Sequence, residues 1–189
     1  MKNIAIFASG NGSNFEALAD ACNSGFINGK VVLLVCDKKD AYVIERAKKF
    51  SVPVFSFTAK DFSSKEEYET LIVNKLKEND VELVCLAGYM RICGKVLLEG
   101  FEGKIINIHP ALLPAFKGAH GIKDAYEYGV KVFGVTVHYV DSGMDTGRII
   151  DQEAFHIENG VSLEKVENKI HEIEHVLYPR VVKLMCEGK

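Results

Sequence analysis

Asn3-Ile4-Ala5-Ile6-Phe7-Ala8-Ser9-Gly10-Asn11-Gly12-Ser13-Asn14 runs an apolar strand directly into a glycine-rich turn, and a segment of helical period opens near Phe15. Glycine lets the backbone turn tightly and lets a ligand approach it, and the free N–H groups and dipole at a helix start favour an anion. The turn is therefore a candidate phosphate loop; a simple reversal of the chain from strand to helix is the alternative that this stretch alone leaves open. Gly10-x-Gly12 is followed by Ser13-Asn14, so the third glycine of a dinucleotide fingerprint is missing, and no Gly-Lys-Ser/Thr completes a Walker loop.

Outward from this stretch, short apolar runs at 31–36, 53–57, 83–87 and 104–108 alternate with longer segments of helical period. Such alternation predicts an α/β fold, a Rossmann-like open and mostly parallel sheet with helices on both faces. Two later runs, 134–140 and 148–155, are separated only by the short stretch 141–147, so they are expected to pair antiparallel, which puts one antiparallel strand near the C-terminal end. From Ser162 onward, Leu163, Val166, Ile170, Ile173, Leu177, Val181 and Leu184 recur at three- and four-residue spacing. They predict one long amphipathic helix with Ser162 as N-cap and a bend at Pro179. The Lys/Glu-rich stretch 65–77 is expected to be the solvated face of another helix.

A chain of 189 residues, folding as one compact domain over 1–189, buries roughly 70% of the surface its unfolded form exposes and needs no disulfide. The balance of 23 basic against 26 acidic residues offers no positive field for nucleic acid or an anionic membrane, so any phosphate must be met by a local site. Cys22, Cys36, Cys85, Cys93 and Cys186 are odd in number and lack Cys-x-x-Cys pairing; they are expected to be reduced thiols in a reducing compartment. The apolar run 4–8 is too short for a signal-peptide core, and no run approaches the ~20 residues of a membrane span. A soluble cytoplasmic protein is expected.

Asn107-Ile108-His109-Pro110, followed by Ala111-Leu112-Leu113-Pro114, closes the fifth strand at the end where open α/β sheets bind ligands. Asn107 and His109 are two apart and can point the same way. An amide that donates to a developing oxyanion, beside an imidazole that exchanges protons near neutral pH, suits acyl transfer to an amine. A structural histidine at a strand end is the equally open alternative. Asp145 lies in Asp141-Ser142-Gly143-Met144-Asp145-Thr146-Gly147. Within hydrogen-bond range of His109 it would favour the imidazolium, although an Asp in a Gly-flanked turn ordinarily serves the turn itself. His171-Glu172-Ile173-Glu174-His175 matches the zinc signature His-Glu-x-x-His, but no later histidine supplies a third ligand, and these residues are expected to be polar positions on a helix. His138 is expected to be a packed strand residue, His156 to lie on the surface, and His120 to contact phosphate or fold its loop.

Four motifs together resemble the glycinamide ribonucleotide formyltransferase family. They are Gly10-Asn11-Gly12-Ser13-Asn14, Leu86-Ala87-Gly88-Tyr89-Met90-Arg91-Ile92, Asn107 through Pro114, and Gly134-Val135-Thr136-Val137-His138 with Asp145-Thr146-Gly147. The likeness spans nearly the whole chain in order. The Asn-x-His plus downstream Asp set is shared by folate-dependent formyltransferases, whereas Gly-Asn-Gly-Ser-Asn marks the glycinamide ribonucleotide branch.

The resemblance implies a transfer of formyl from 10-formyltetrahydrofolate, as co-substrate, to the amine of glycinamide ribonucleotide, without a metal. Asn107, His109 and Asp145 would carry the chemistry, Gly12, Ser13 and Asn14 the substrate phosphate, and Glu174 its ribose. Lys65, Met90, Arg91, Ile92 and Cys93, with Asn107 shared, would meet the folate. Partners would be these small molecules, not nucleic acid or membrane, and the protein a monomer or homodimer. Cys93, Lys117, Gly121-Ile122-Lys123 and Arg148 depart from residues common in the family. They bear on loop rigidity and folate affinity rather than on the reaction. A 10-formyltetrahydrofolate hydrolase and a non-catalytic phosphate-binding α/β module are the rival expectations; a tRNA-directed formyltransferase, which normally carries an added RNA-binding domain, is disfavoured.

Overall fold

The computed structural model describes residues 1–188. Seven strands, β1 (Lys2–Ala8), β2 (Gly29–Cys36), β3 (Val54–Ser56), β4 (Leu83–Leu86), β5 (Ile105–His109), β6 (Val132–Tyr139) and β7 (Ile149–His156), form one sheet in the order β3-β2-β1-β4-β5-β6-β7. Six helices accompany them: α1 (Ser13–Asn23), α2 (Val43–Lys49), α3 (Lys65–Glu78), α4 (Lys95–Gly100), α5 (Gly121–Tyr128) and α6 (Leu163–Glu187). Every expected strand is found within a residue or two of its expected limits. β1 through β5 pair parallel, and β6 alone runs against both neighbours, β5 and β7.

Period-two alternation sorts the core into two layers. Ile4, Ile6 and Ala8 of β1 face one side, where they meet Phe15 and Leu18 of α1 and Val166, Ile170, Leu177 and Val181 of α6. Ala5 and Phe7 face the other, against Tyr68, Ile72 and Leu76 of α3 and Leu97 of α4. β1 is buried on both faces, which is why its sequence is a continuous apolar run rather than an alternating one.

α6 begins as its sequence signals, with the Lys165 N–H donating to Ser162 Oγ at 3.4 Å. Pro179 is buried inside α6 and does not end it. One residue earlier, Tyr178 crosses the core to the sheet centre. Its hydroxyl donates to the Leu86 carbonyl at 2.8 Å and lies 3.3 Å from that of Ile106, so the long helix is fixed directly to the end of β4 and to the neighbouring β5.

All five cysteines are free thiols. Among the described residues no helix is long and apolar enough to cross a membrane. Tyr178→Phe removes a buried donor and leaves carbonyls behind it, so it is expected to fold normally and lose about 1–2 kcal/mol of stability, read as a lowered thermal midpoint with turnover retained.

Candidate active site

The sheet order reverses at β1, which lies between β2 and β4, so the chain leaves β1 and β4 toward opposite sides and opens a crevice beyond their C-terminal ends. A cavity of about 450 Å³ occupies that crevice. Gly10 to Asn14 wall one end, residues 86–93 the other, and Asn107, His109, His138 and Asp145 lie between them.

At the first end Gly12 has φ +80° and precedes Ser13, the first residue of α1, with no side chain capping the helix. The opening N–H groups of α1 are thus presented to the cavity, the arrangement that attracts an anion. Space as well as φ demands glycine here, since a Cβ on Gly12 would stand 2.4 Å from Val43 Cγ2. α2 holds the loop from behind. Val43 N–H donates to the Gly10 carbonyl at 3.0 Å, and Arg46 donates through Nε to the Asn11 carbonyl at 2.9 Å and through Nη2 to Asn11 Oδ1 at 2.8 Å.

Facing this loop, α6 contributes a buried carboxylate. Glu174 Oε2 accepts from Asn14 Nδ2 at 3.3 Å and from His171 Nδ1 at 2.9 Å, while Asn14 Oδ1 is buried without a donor. The hydrogen bond to Glu174 raises the His171 pKa against the effect of burial. His171 and Glu174 both line the cavity. The His-Glu-x-x-His match is therefore spent on this pairing, and among the described residues no three His, Cys, Asp or Glu side chains are grouped to hold a metal ion.

At the other end Met90 (63% exposed) and Ile92 (52%) form an apolar lip. Arg91 and Cys93 also line the cavity. Burial, then the nearby Glu69 carboxylate, push the Cys93 thiol up to about 12, so it is a neutral wall residue rather than a nucleophile. Lys65 stands at the start of α3 outside the cavity lining, with its stem packed over Gly94.

In the middle, Asn107 and His109 occupy alternate positions of β5 opposite His138 and Thr136 of β6. His138 is buried; its Nδ1 donates to the Tyr139 carbonyl at 2.7 Å, and its Nε2 lies 3.2 Å from Asn107 Nδ2 and 3.6 Å from Asp145 Oδ1. A neutral His138 ring accepts from the Asn107 amide and so fixes which way that amide points. His109 donates through Nε2 to the Phe116 carbonyl at 2.8 Å, and its Nδ1 stands 3.5 Å from Asp145 Oδ2. A ring protonated on both nitrogens meets an acceptor on each side.

Asp145 is close to His109, yet 3.5 Å exceeds hydrogen-bond length. Its direct hydrogen bond comes from the Gly118 N–H at 2.8 Å, which ties the loop after β5 to the loop after β6. The turn role belongs to Asp141, whose Oδ1 accepts from Gly143 N–H at 3.0 Å and Thr146 Oγ1 at 2.6 Å. Asp145 itself is held at φ +52°, a strained setting for a non-glycine residue that turns the carboxylate inward. The facing His138 ring, then the hydrogen bond from the Gly118 N–H and the His109 charge, hold its pKa below the usual carboxylate range against burial.

His138, expected to be a packed strand residue, and His171, expected to be a polar helix position, both line the cavity. The available signals were the facing of His138 and Asn107 across a strand pair and the three-residue spacing of His171 and Glu174. His120 is exposed at the start of α5 and makes no capping bond.

Residues 2–182 match the sequence profile of the formyl transferase family. The chain is 51% identical over 183 residues to a phosphoribosylglycinamide formyltransferase of Bacillus subtilis strain 168, covering 97% of this chain and 94% of that one. A phosphoribosylglycinamide formyltransferase of Haemophilus influenzae is 40% identical, over 100% of this chain and 89% of that one. The crystal structure of glycinamide ribonucleotide transformylase 1 from Geobacillus kaustophilus superposes with a TM-score of 0.96 at 50% identity, covering 98% and 99% of the two chains.

The lowered Asp145 pKa has a definite pH signature. A carboxylate depressed on folding adds stability that is complete above its unfolded value of about 3.9 and fades as pH falls through the lower folded value. Thermal melts of the parent and Asp145→Asn are expected to differ by a constant amount from pH 8 to about pH 5 and to converge only in stronger acid.

Proposed function

The chain belongs to the formyl transferase family, and we propose that it transfers the formyl group of 10-formyltetrahydrofolate to the amine of phosphoribosylglycinamide, a step of purine biosynthesis. The observation that carries the proposal is the order of groups along one cavity. An open helix start for a phosphate, a polar cluster for acyl transfer and an apolar-lipped segment for a flat aromatic donor follow one another without a break. A hydrolase would need no anion site for an acceptor, and a mere binding module would need no polar cluster.

In the proposed reaction the ribonucleotide phosphate rests on the N–H groups of Gly12, Ser13 and Asn14, and Glu174 accepts from the ribose hydroxyls. The folate ring enters along Met90, Arg91, Ile92 and Cys93, and Lys65 stands near enough to Cys93 for its ammonium to meet the donor's anionic tail at the mouth. The amine then attacks the formyl carbon. Asn107, oriented by His138, donates its second N–H to the oxyanion, and protonated His109 donates after exchanging its bond to the Phe116 carbonyl for one to the substrate. The carbon–nitrogen bond to the acceptor forms, the bond to folate nitrogen breaks, and water held by Asp145 passes the proton from amine to that nitrogen. Asp145, ionised at neutral pH, balances the imidazolium. No metal takes part. The protein acts as a monomer or a homodimer, and the free thiols suit the cytoplasm.

The decisive assay follows donor deformylation with and without the ribonucleotide: loss that requires the nucleotide supports transfer, and equal loss without it supports hydrolysis. His109→Ala and Asp145→Asn are each expected to lower kcat about a hundredfold or more while still binding both substrates. The raised His171 pKa supplies a second readout. Attraction of a protonated His171 for the phosphate is full below its ordinary value of about 6.5 and is lost as pH rises through the elevated one. The KM for the ribonucleotide should therefore climb above neutral pH, and in His171→Ala that climb should disappear.

A further inference from the structure

Asp37 follows directly after β2 and is buried, yet it does not line the cavity. A carboxylate taken out of water requires partners. Ser9 Oγ donates to Asp37 Oδ1 at 2.5 Å, and Arg91 Nε lies 2.9 Å from Oδ2. Ser9 Oγ in turn accepts from the Met90 N–H at 2.9 Å, and the Ser9 N–H donates to the Gly88 carbonyl at 3.1 Å. Gly88 has φ +78°, so the chain bends sharply as it leaves β4, and these tethers set its direction from there. The rest of the segment is held more loosely, with Tyr89 edge-on to Phe7 at 5.3 Å and the Arg91 guanidinium 5.8 Å from the Tyr68 ring centre.

We propose that Asp37 and Ser9 are positioning residues that pre-order the 90–93 segment for the folate donor. The proposal rests on the assignment of that segment to the donor. Neither side chain touches the cavity; each acts through Met90 and Arg91. The carboxylate–guanidinium ion pair draws Arg91 towards Asp37 by charge attraction, without a hydrogen bond to the buried Nε, and the serine hydroxyl fixes the peptide of Met90. A segment ordered in advance spares the donor the entropy of ordering it on arrival. Ser9 is also the residue from which the loop 10–14 departs, so the walls of both ends of the cavity are joined at one residue.

Such tethers serve affinity for the donor and leave the chemical step alone, which separates them from a purely structural network. Tetrahydrofolate binding by titration calorimetry, steady-state kinetics and thermal melts are measured on the parent, Ser9→Ala, Asp37→Asn and Ile92→Asp. Asp37→Asn keeps an acceptor for Ser9 but removes the charge facing Arg91, and it is nearly isosteric, so it tests the idea even if Ser9→Ala folds poorly. Both tether variants should bind tetrahydrofolate about tenfold more weakly, with the donor KM raised to match. Their kcat at saturating donor and KM for the ribonucleotide should stay within about twofold of the parent. Tetrahydrofolate affinity unchanged in both variants overturns the proposal, as does a parallel loss in kcat, both KM values and melting temperature. Ile92→Asp separates the two levels: if it alone weakens tetrahydrofolate, the donor assignment stands and the positioning role falls; if it too has no effect, both fall.

Discussion

Parallel pairing of β1 with β2 on one side and with β4 on the other is the constraint from which the rest follows. Because the strand order reverses at β1, the right-handed crossovers that leave β1 and β4 run over opposite faces of the sheet and diverge at the C-terminal ends of these two strands. That divergence makes the crevice. It also sets the glycine-rich loop at the end of β1 beside the bend at the end of β4, with β5 next in line to bring Asn107 and His109 to the cavity. The apolar continuity of β1 is the energetic counterpart, because only a strand covered on both faces can occupy the centre of such a sheet.

Within the crevice the polar groups are organised around one anion. Asp145 stands 3.5 Å from His109 and 3.6 Å from His138 and takes its direct hydrogen bond from the backbone of Gly118. A single carboxylate thus faces two imidazoles: His138 lies against the amide of Asn107, and His109 is the proton donor in the proposed reaction. The reversed direction of β6 makes this possible. An antiparallel strand returns His138 alongside Asn107 in register, and the loop that follows β6 folds back over the same end of the sheet.

Much of this could be read locally. The Gly12 position, the cap at Ser162, the shared side of Asn107 and His109 and the lone antiparallel strand all follow from short-range rules of period, cap and turn. Asp145 could not, since a carboxylate beside glycines looks like a turn residue until the fold carries it inward; the turn role it suggested belongs to Asp141. Glu174 looks like a solvated helix position because nothing near it in the chain announces that α1 will cover it, whereas His171 stays exposed beside it. Lys65 lies beside Cys93 but outside the lining, a separation of a few side chains that motif position does not resolve.

By itself the sequence determined which residues face together along each element: the alternation of apolar and polar positions, the glycines where φ is positive, and the strand end that holds Asn107 and His109. The order of strands, the inward turn of Asp145, the Phe116 carbonyl against His109 and the tether from Asp37 through Ser9 to the bend after β4 were decided only by tertiary structure. The physical reason is that periodicity encodes which face of an element is buried, whereas the identity of the neighbour across that face is set by packing of the whole sheet. Contacts such as Ser9 with Asp37, or Asn14 with Glu174, exist only once β1 has met β2 and α1 has met α6.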